Sequence, residues 1–431
     1  MNPFDKIIGY EAVKQELIRI ADVLAHPDAY AALGVSAPKG LLLHGDPGVG
    51  KTLMVNSLIE ASGLPSFICR RDTPDGDFVL KIKEVFDDAA KKAPAIVFLD
   101  DLDKFAKTEE ASFNQEEFVA VQAAIDNLNG NNVFVVATAN DIDFLPPSLV
   151  RPGRFDKTLR IHNPSGQEAV EIIKHYLSGK PLELDVDAAY IAKLLHRQSC
   201  AALETAVNAA GVLAGFDRAD RISMRHFVLG CLETVYEIPA SMVIRGTVNA
   251  NDKMMTHIAC HEAGHAVVSE ILSPGSVTMV CIHEPCNHSR GFTSYYRPQE
   301  YGNGIDHPGV VAALGGRAAL DISYGIVEEG AQSDLDDAVN EIRKQVMYTG
   351  AKGFAFLSVV SDSEALSSRV EFAIAEELER CYSQAKMILT ENRAFHKAIT
   401  DALLRDGLLT SADIQKMHFQ NGDPIYTGHL Q

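Results

Sequence analysis

The sequence predicts an α/β module built on a parallel, doubly wound sheet, followed by a long and mainly helical region. Three observations predict it. The short apolar strand Leu41-Leu42-Leu43 runs straight into the glycine-rich run GDPGVGKT (residues 45–52) and then into helical sequence. Two further apolar strands, at residues 95–99 and 132–137, follow at the spacing of strand–helix alternation. Beyond about residue 163 helical periodicity dominates, and its most informative stretch is HEAGH, residues 261–265.

Composition bounds what such a chain does. At 431 residues it has room for about two to four domains, and 46% hydrophobic with 23% charged residues is the balance of an ordinary globular protein. The net charge of -19 argues against nucleic acid as a partner. Seven cysteines, an odd number scattered along the chain, fit a reducing compartment better than a disulfide framework. No apolar run approaches the ~20 residues that span a bilayer, and Met1 leads into Asn2-Pro3-Phe4-Asp5 with no signal peptide. A soluble, cytoplasmic chain is expected.

In order, residues 7–27 read as a helix with Val13, Leu17, Ile20 and Leu24 on one face. The glycines of residues 45–52 let backbone N–H groups curl around phosphates, Lys51 reaches the β/γ oxygens, and Thr52 offers its hydroxyl to Mg²⁺. We take Asp46, Pro47, Gly48, Val49, Gly50, Lys51, Thr52 and Leu53 as the nucleotide-binding loop. The strand at 95–99 ends in Asp100-Asp101, at the sheet edge that faces ligand in such folds. Asp100 is expected to hold Mg²⁺ and Asp101 to orient the attacking water, while the strand at 132–137 delivers Asn140 to the same edge. Arg151 and Arg154, in the Pro/Gly-punctuated LVRPGRFD, read as surface charge by default. Behind a phosphate loop they suggest arginine fingers, supplied to a neighbouring subunit's nucleotide.

Residues 252–273 read as one amphipathic helix closed by Ser273-Pro274-Gly275. His261 and His265, four apart, share a face and can bind one Zn²⁺, with Glu262 close enough to act on a water at the metal. The blander reading is a chance cluster in a chain with 15 histidines. Gly264 argues against it, because a glycine in a helix interior costs about 1 kcal/mol relative to alanine and implies that something needs the space. A third ligand is not legible from chemistry alone. Val268 and Ile271 stand where a metzincin would have glycine and histidine, and Glu284 falls in strand-and-turn sequence where no helix presents it. A hairpin is expected over roughly 277–296, with helix elsewhere; Cys281, His283, Cys286 and His288 are too closely spaced for the usual zinc knuckle and read as part of its polar turn.

The ordered set IIGYEAVKQEL, GDPGVGKT, FLDDLD, VVATAN and RPGRFD resembles an AAA+ ATPase module. With HEAGHA, GGRAA (residues 315–319) and GAQSDLDDA (residues 330–338) following, the chain from Phe4 to about Lys416 resembles the FtsH-like AAA+ zinc metalloproteases. The resemblance implies an AAA+ nucleotide-binding domain over 1–161, a helical lid over 162–237, a linker over 238–251 and a mainly helical zinc peptidase domain over 252–431. It implies ATP and Mg²⁺ contacts, with Ile8, Gly9 and His175 at positions of nucleotide contact, and a ring, a hexamer in this family, acting on polypeptides. It points to Asp334 as the third zinc ligand, with Ser333, Asp336 and Asp337 as rivals and a helix N-cap as its plainer role.

Three departures bear on mechanism. Asp101 stands where the family has glutamate, one methylene longer. The aromatic pore loop has no clear counterpart: CRRDTPDGDFVLKIKEVF is short and polar, and Phe78-Val79 is its nearest match. The family's membrane tether has no counterpart, so the chain is expected to be naturally soluble or a shortened form. Two alternatives follow: a remodelling ATPase with an idle peptidase, and an ATP-independent peptidase whose ATPase ring is structural.

Overall fold

In the computed structural model the residues described are 2–34, 38–71, 78–105, 116–128, 131–245, 252–283, 291–296, 307–326, 332–349 and 364–421. Contacts divide the chain into two units, residues 1–181 with 195–208, and residues 182–194 with 209–431. The expected lid segment is therefore distributed over both.

The first unit is organised by a five-stranded parallel sheet: β1 (Gly40–His44), β2 (Ser66–Cys69), β3 (Ala95–Leu99), β4 (Val133–Ala139) and β5 (Lys157–Arg160), in the order β2-β3-β4-β1-β5. β1, β3 and β4 are the apolar strands read from sequence, and apart from His44 they are buried throughout, as strands covered on both faces must be. β5 has no apolar run to betray it and β2 only Phe67-Ile68-Cys69, because they sit at the edges and half their side chains meet water. β4 runs two residues further than expected and so carries Thr138 to the sheet's carboxyl edge. Parallel register, with His44 opposite Ala139 and Leu99 opposite Ala137, brings the loop after β1, Asp100 after β3 and Asn140 after β4 to one edge.

The first long helix spans Glu11–Ala25, four residues later than the periodicity suggests. Gly9 (φ 69°) and Tyr10 (φ 53°) hold left-handed backbone that no helix continues through. Leu17, Ile20 and Ala21 form its buried face, with Val13 and Leu24 only half-buried. The nearest pore-loop match is corrected by packing: Phe78 opens the helix Phe78–Lys91, is buried, and makes an edge contact with Phe105 at 4.8 Å between centroids. It is core. The polar run before it, residues 72–77, lies outside the described residues.

In the second unit the helix Lys253–Leu272, N-capped by the Asp252 side chain, forms the axis. The amphipathic reading does not survive. From Ala259 to Ile271 every residue but His261 is buried, because the helices His307–Ala313, Gly315–Tyr324, Glu364–Glu391 and Arg393–Asp406 and the strand Val277–Cys281 surround it. The hairpin is present as antiparallel β6 (Val277–Cys281) and β7 (Phe292–Tyr295), and a third strand, β8 (Leu408–Thr410), completes the sheet on the other side of β6. Its three residues, 127 positions from β6 in sequence, carry no strand signature of their own. The stretch read as linker contains a short helix, Ala240–Arg245; residues 246–251 lie outside the described residues. Among the described residues no helix is long and apolar enough to cross a membrane.

Gly264 has the packing reason that its position demands. A Cβ there would stand 2.5 Å from the Gly315 carbonyl oxygen and 2.6 Å from the Ala319 Cβ, and one on Gly315 would stand 2.7 Å from the Gly264 oxygen. The two helices cross glycine on glycine. Gly264→Ala is expected to destabilise the fold by about 1–3 kcal/mol, overriding alanine's better helix propensity; a lowered unfolding midpoint in denaturant checks it.

Candidate active sites

At the sheet edge, the phosphate loop owes its shape to glycine. Gly45 has room for no side chain, since a Cβ would lie 2.0 Å from the Ile161 oxygen, and Gly48 (φ 80°) and Gly50 (φ 97°) hold left-handed backbone. Lys51 opens the helix Lys51–Ser62 and is buried, and burial lowers its pKa. Its ammonium donates to the carbonyls of Gly45 (2.7 Å) and Asp46 (2.9 Å) and to Asn140 Oδ1 (3.0 Å). Asp46, Pro47, Thr52 and Leu53 are exposed and Val49 is buried.

The carboxylate pair divides in two ways. Asp100 is buried and its Oδ1 accepts from Thr52 Oγ1 (3.2 Å) and Thr138 Oγ1 (2.8 Å), which ties the loop's hydroxyl to the strand's carboxylate where a cation on phosphate belongs. Asp101 (φ 55°) pairs with Lys104 Nζ at 2.8 Å, and its backbone N–H donates to Thr138 Oγ1. Asn140 bridges Lys51 and Asp103, donating to Asp103 Oδ2 at 3.3 Å, while Asp103 Oδ1 is buried with no partner. Sequence reasoning passed over Thr138 and Asp103. The available signal for Thr138 was a hydroxyl directly continuing the apolar run of residues 132–137, since a polar group drawn into a buried strand requires a partner.

Arg151 is exposed. Arg154 is already engaged, donating through Nε (3.0 Å) and NH2 (2.8 Å) to both oxygens of Asp126 and through NH1 to the Ser148 carbonyl. Ile8 is half-buried, and Gly9 is buried against Glu168, whose carboxylate accepts from the Tyr10 N–H at 3.2 Å. His175 is exposed, its ring edge-on to Tyr176. The loop's other side is held by Asn163 and Ala201: Asn163 Nδ2 donates to Asp46 Oδ2 at 2.7 Å and the Ala201 N–H to the Gly48 carbonyl at 3.1 Å.

In the second unit three atoms converge. His261 Nε2 and His265 Nε2 are 3.0 Å apart, and Asp334 Oδ2, from the first turn of the helix Gln332–Thr349, lies 3.1 and 3.3 Å from them. Ligands at about 2.0–2.2 Å in a tetrahedron stand roughly 3.3–3.5 Å from one another, so the three fit one zinc ion once they spread by at most a few tenths of an ångström. His265 Nδ1 donates to the Ala312 carbonyl at 2.8 Å, which makes Nε2 the ring atom turned to the cluster. Burial disfavours charge on both His265 and Asp334, yet their mutual contact outweighs it: His265 is raised to about 9, and Asp334 is held well below the carboxylate range. The pocket stabilises positive charge among these atoms. The rivals Asp336 and Asp337, like Ser333, are exposed, and Glu284, Cys286 and His288 lie outside the described residues.

Glu262 is buried beside this cluster, and burial raises its pKa against the opposing pull of His265, His261 and the Thr293 hydroxyl. Thr293 Oγ1, from β7, stands 2.8 Å from Glu262 Oε2 and fixes the carboxylate. GGRAA acquires a physical reason as well. A Cβ on Gly316 would stand 2.5 Å from His261 Cε1 and Nε2 and 2.6 Å from His265 Nε2, so the second glycine makes room for the rings.

Residues 41–163 match the family model described as ATPase family associated with various cellular activities (AAA), and residues 248–417 match that of peptidase family M41. Over 450 aligned residues the chain is 29% identical to the ATP-dependent zinc metalloprotease FtsH 3 of Symbiobacterium thermophilum, covering 96% of this chain and 70% of that protein. It is 29% identical to the ATP-dependent zinc metalloprotease FtsH of Helicobacter felis, with 96% and 69% covered. It is 27% identical to that of Alkalihalophilus pseudofirmus, with 96% and 65% covered.

Proposed function

We propose that the chain, whose AAA match precedes a family M41 peptidase match, is an FtsH-like ATP-dependent zinc endopeptidase that degrades unfolded or tagged polypeptides in a ring, a hexamer. The convergence of His261, His265 and Asp334 beside buried Glu262, in one chain with a formed phosphate loop, carries the reading. Bound to these three residues, Zn²⁺ would supply Lewis acidity toward the scissile carbonyl and toward water. Glu262 takes the attacking water's proton and passes it to the leaving amine. Thr293 keeps the Glu262 carboxylate aimed, and the Ala312 carbonyl keeps His265 in its binding tautomer.

In the AAA module, Lys51 and the N–H groups of residues 46–53 bind the phosphates of ATP, Thr52 and Asp100 hold Mg²⁺, and Asp101 with Asn140 orients the attacking water. Ile8, Gly9 and His175 contact the nucleotide's other end. Arg151 and Arg154 act on a neighbour's nucleotide, Arg151 being the freer of the two. The boundaries 1–161, 162–237, 238–251 and 252–431 belong to this proposal. So do a cytoplasmic location and the absence of a nucleic-acid partner, which the net charge of -19 supports.

The Asp101–Lys104 pair favours a second reading, in which slow ATP turnover leaves the ring structural and the peptidase independent of ATP. Degradation of an unfolded protein and of a short peptide, each with and without ATP, separates them. Lys51→Ala is expected to lose ATP binding and protein degradation while keeping peptide cleavage. If ATP changes neither substrate's cleavage in the wild type, the second reading replaces the first.

A further inference from the structure

A second cluster of metal-ligating side chains lies apart from both sites. His307 begins the helix His307–Ala313, and Glu377 and Cys381 lie four apart, hence on one face, of the helix Glu364–Glu391. All three are buried. Cys381 Sγ is 3.6 Å from His307 Nδ1 and 3.9 Å from Glu377 Oε1, and His307 Nδ1 is 3.7 Å from Glu377 Oε1. One sulfur, one nitrogen and one oxygen around a tetrahedral zinc stand about 3.3–3.6 Å apart, so a contraction of at most a few tenths of an ångström closes these atoms on an ion.

The surroundings orient the donors inward. His307 Nε2 lies 2.9 Å from Gln384 Oε1, an acceptor only; it therefore carries the ring's proton and leaves the Nδ1 lone pair on the side of the thiol and carboxylate. Positive charge already belongs here. The Arg380 guanidinium donates to both Glu377 oxygens and stands 3.2 and 3.3 Å from the two imidazole nitrogens. Its side chain is 50% exposed, so a cation entering the cluster displaces it toward water.

We propose that His307, Glu377 and Cys381 form a second, structural site for a thiophilic divalent cation of the zinc class, separate from the peptidase centre. As the sulfur–metal bond forms, the Cys381 thiol gives up its proton to the buffer, and the resulting thiolate with the Glu377 carboxylate balances the ion's two charges. The site joins the two helices end to face. One of them carries Ala312, whose carbonyl holds His265, so the ion braces the scaffold behind the peptidase centre.

Cobalt(II) added to the metal-stripped protein tests this without any activity readout, because a sulfur-to-cobalt charge-transfer band in the near ultraviolet cannot arise from the His261, His265 and Asp334 set. The wild type is expected to bind two cobalt ions per chain and show the band. His261→Ala should bind one and keep the band, whereas Cys381→Ala and Cys381→Ser should each bind one and lose it. A wild type without the band, or a band that persists in either Cys381 variant, overturns the proposal. Far-ultraviolet circular dichroism accompanies each variant, and because the wild-type spectrum alone can refute the site, misfolding of a variant does not protect it.

Discussion

Glu262→Gln is expected to lower cleavage of unfolded protein and of short peptide alike by roughly 10²–10⁴-fold, while zinc content and ATPase activity stay at wild-type levels. The amide keeps the carboxylate's shape and still accepts from the Thr293 hydroxyl, so neither packing nor the zinc ligands are disturbed. It takes no proton. Glu262 is buried and held beside the cluster, and no second carboxylate apart from Asp334, the proposed ligand, is placed there among the described residues to substitute for it. Cleavage assays alongside zinc determination check this; intact cleavage by a zinc-loaded variant would sink the assignment of Glu262 as the proton carrier.

Gly316→Ala is expected to remove zinc without touching a ligand. The added methyl would lie 2.5 Å from the His261 ring and 2.6 Å from His265 Nε2, well inside contact distance. The helix backbone is crossed glycine on glycine at the neighbouring Gly315 and cannot back away, so the imidazoles must turn. We expect zinc affinity to fall by at least about 10–100-fold, the usual cost of disturbing the shell around ligands, and peptidase activity to fall with it, while nucleotide binding is retained. Metal content per chain after exhaustive washing, and peptide cleavage across a zinc titration, read the effect; wild-type zinc retention would show that the glycine answers to packing alone.

The features legible in the sequence share a property, which is that their chemistry is local. GDPGVGKT places glycines, lysine and threonine within eight positions, and His261, Glu262 and His265 need only the pitch of a helix to come together. Apolar runs marked β1, β3 and β4 because strands buried on both faces must be apolar throughout. The edge strands β2 and β5 and the three-residue β8 escaped, since partial exposure or brevity erases that signature. The axis of the peptidase unit misled in the opposite sense. Its histidines and glutamate look like a polar face, yet Glu262 and His265 are buried and His261 half-buried, because surrounding helices and a neighbouring strand supply the partners that water would otherwise provide.

By itself, then, the sequence determined the two chemistries, phosphate binding at residues 45–52 and a histidine pair suited to zinc at residues 261 and 265, because each is encoded within one or two turns of chain. Tertiary structure alone decided what completes them. Asp334 reaches His261 across 73 positions, Ala312 reaches His265 across 47, Thr293 reaches Glu262 across 31, and Thr138 reaches Asp100 across 38. Cys381 meets His307 across 74. Such pairings depend on which helices and strands pack together, and a burial-driven packing leaves no spacing in the sequence from which to read them.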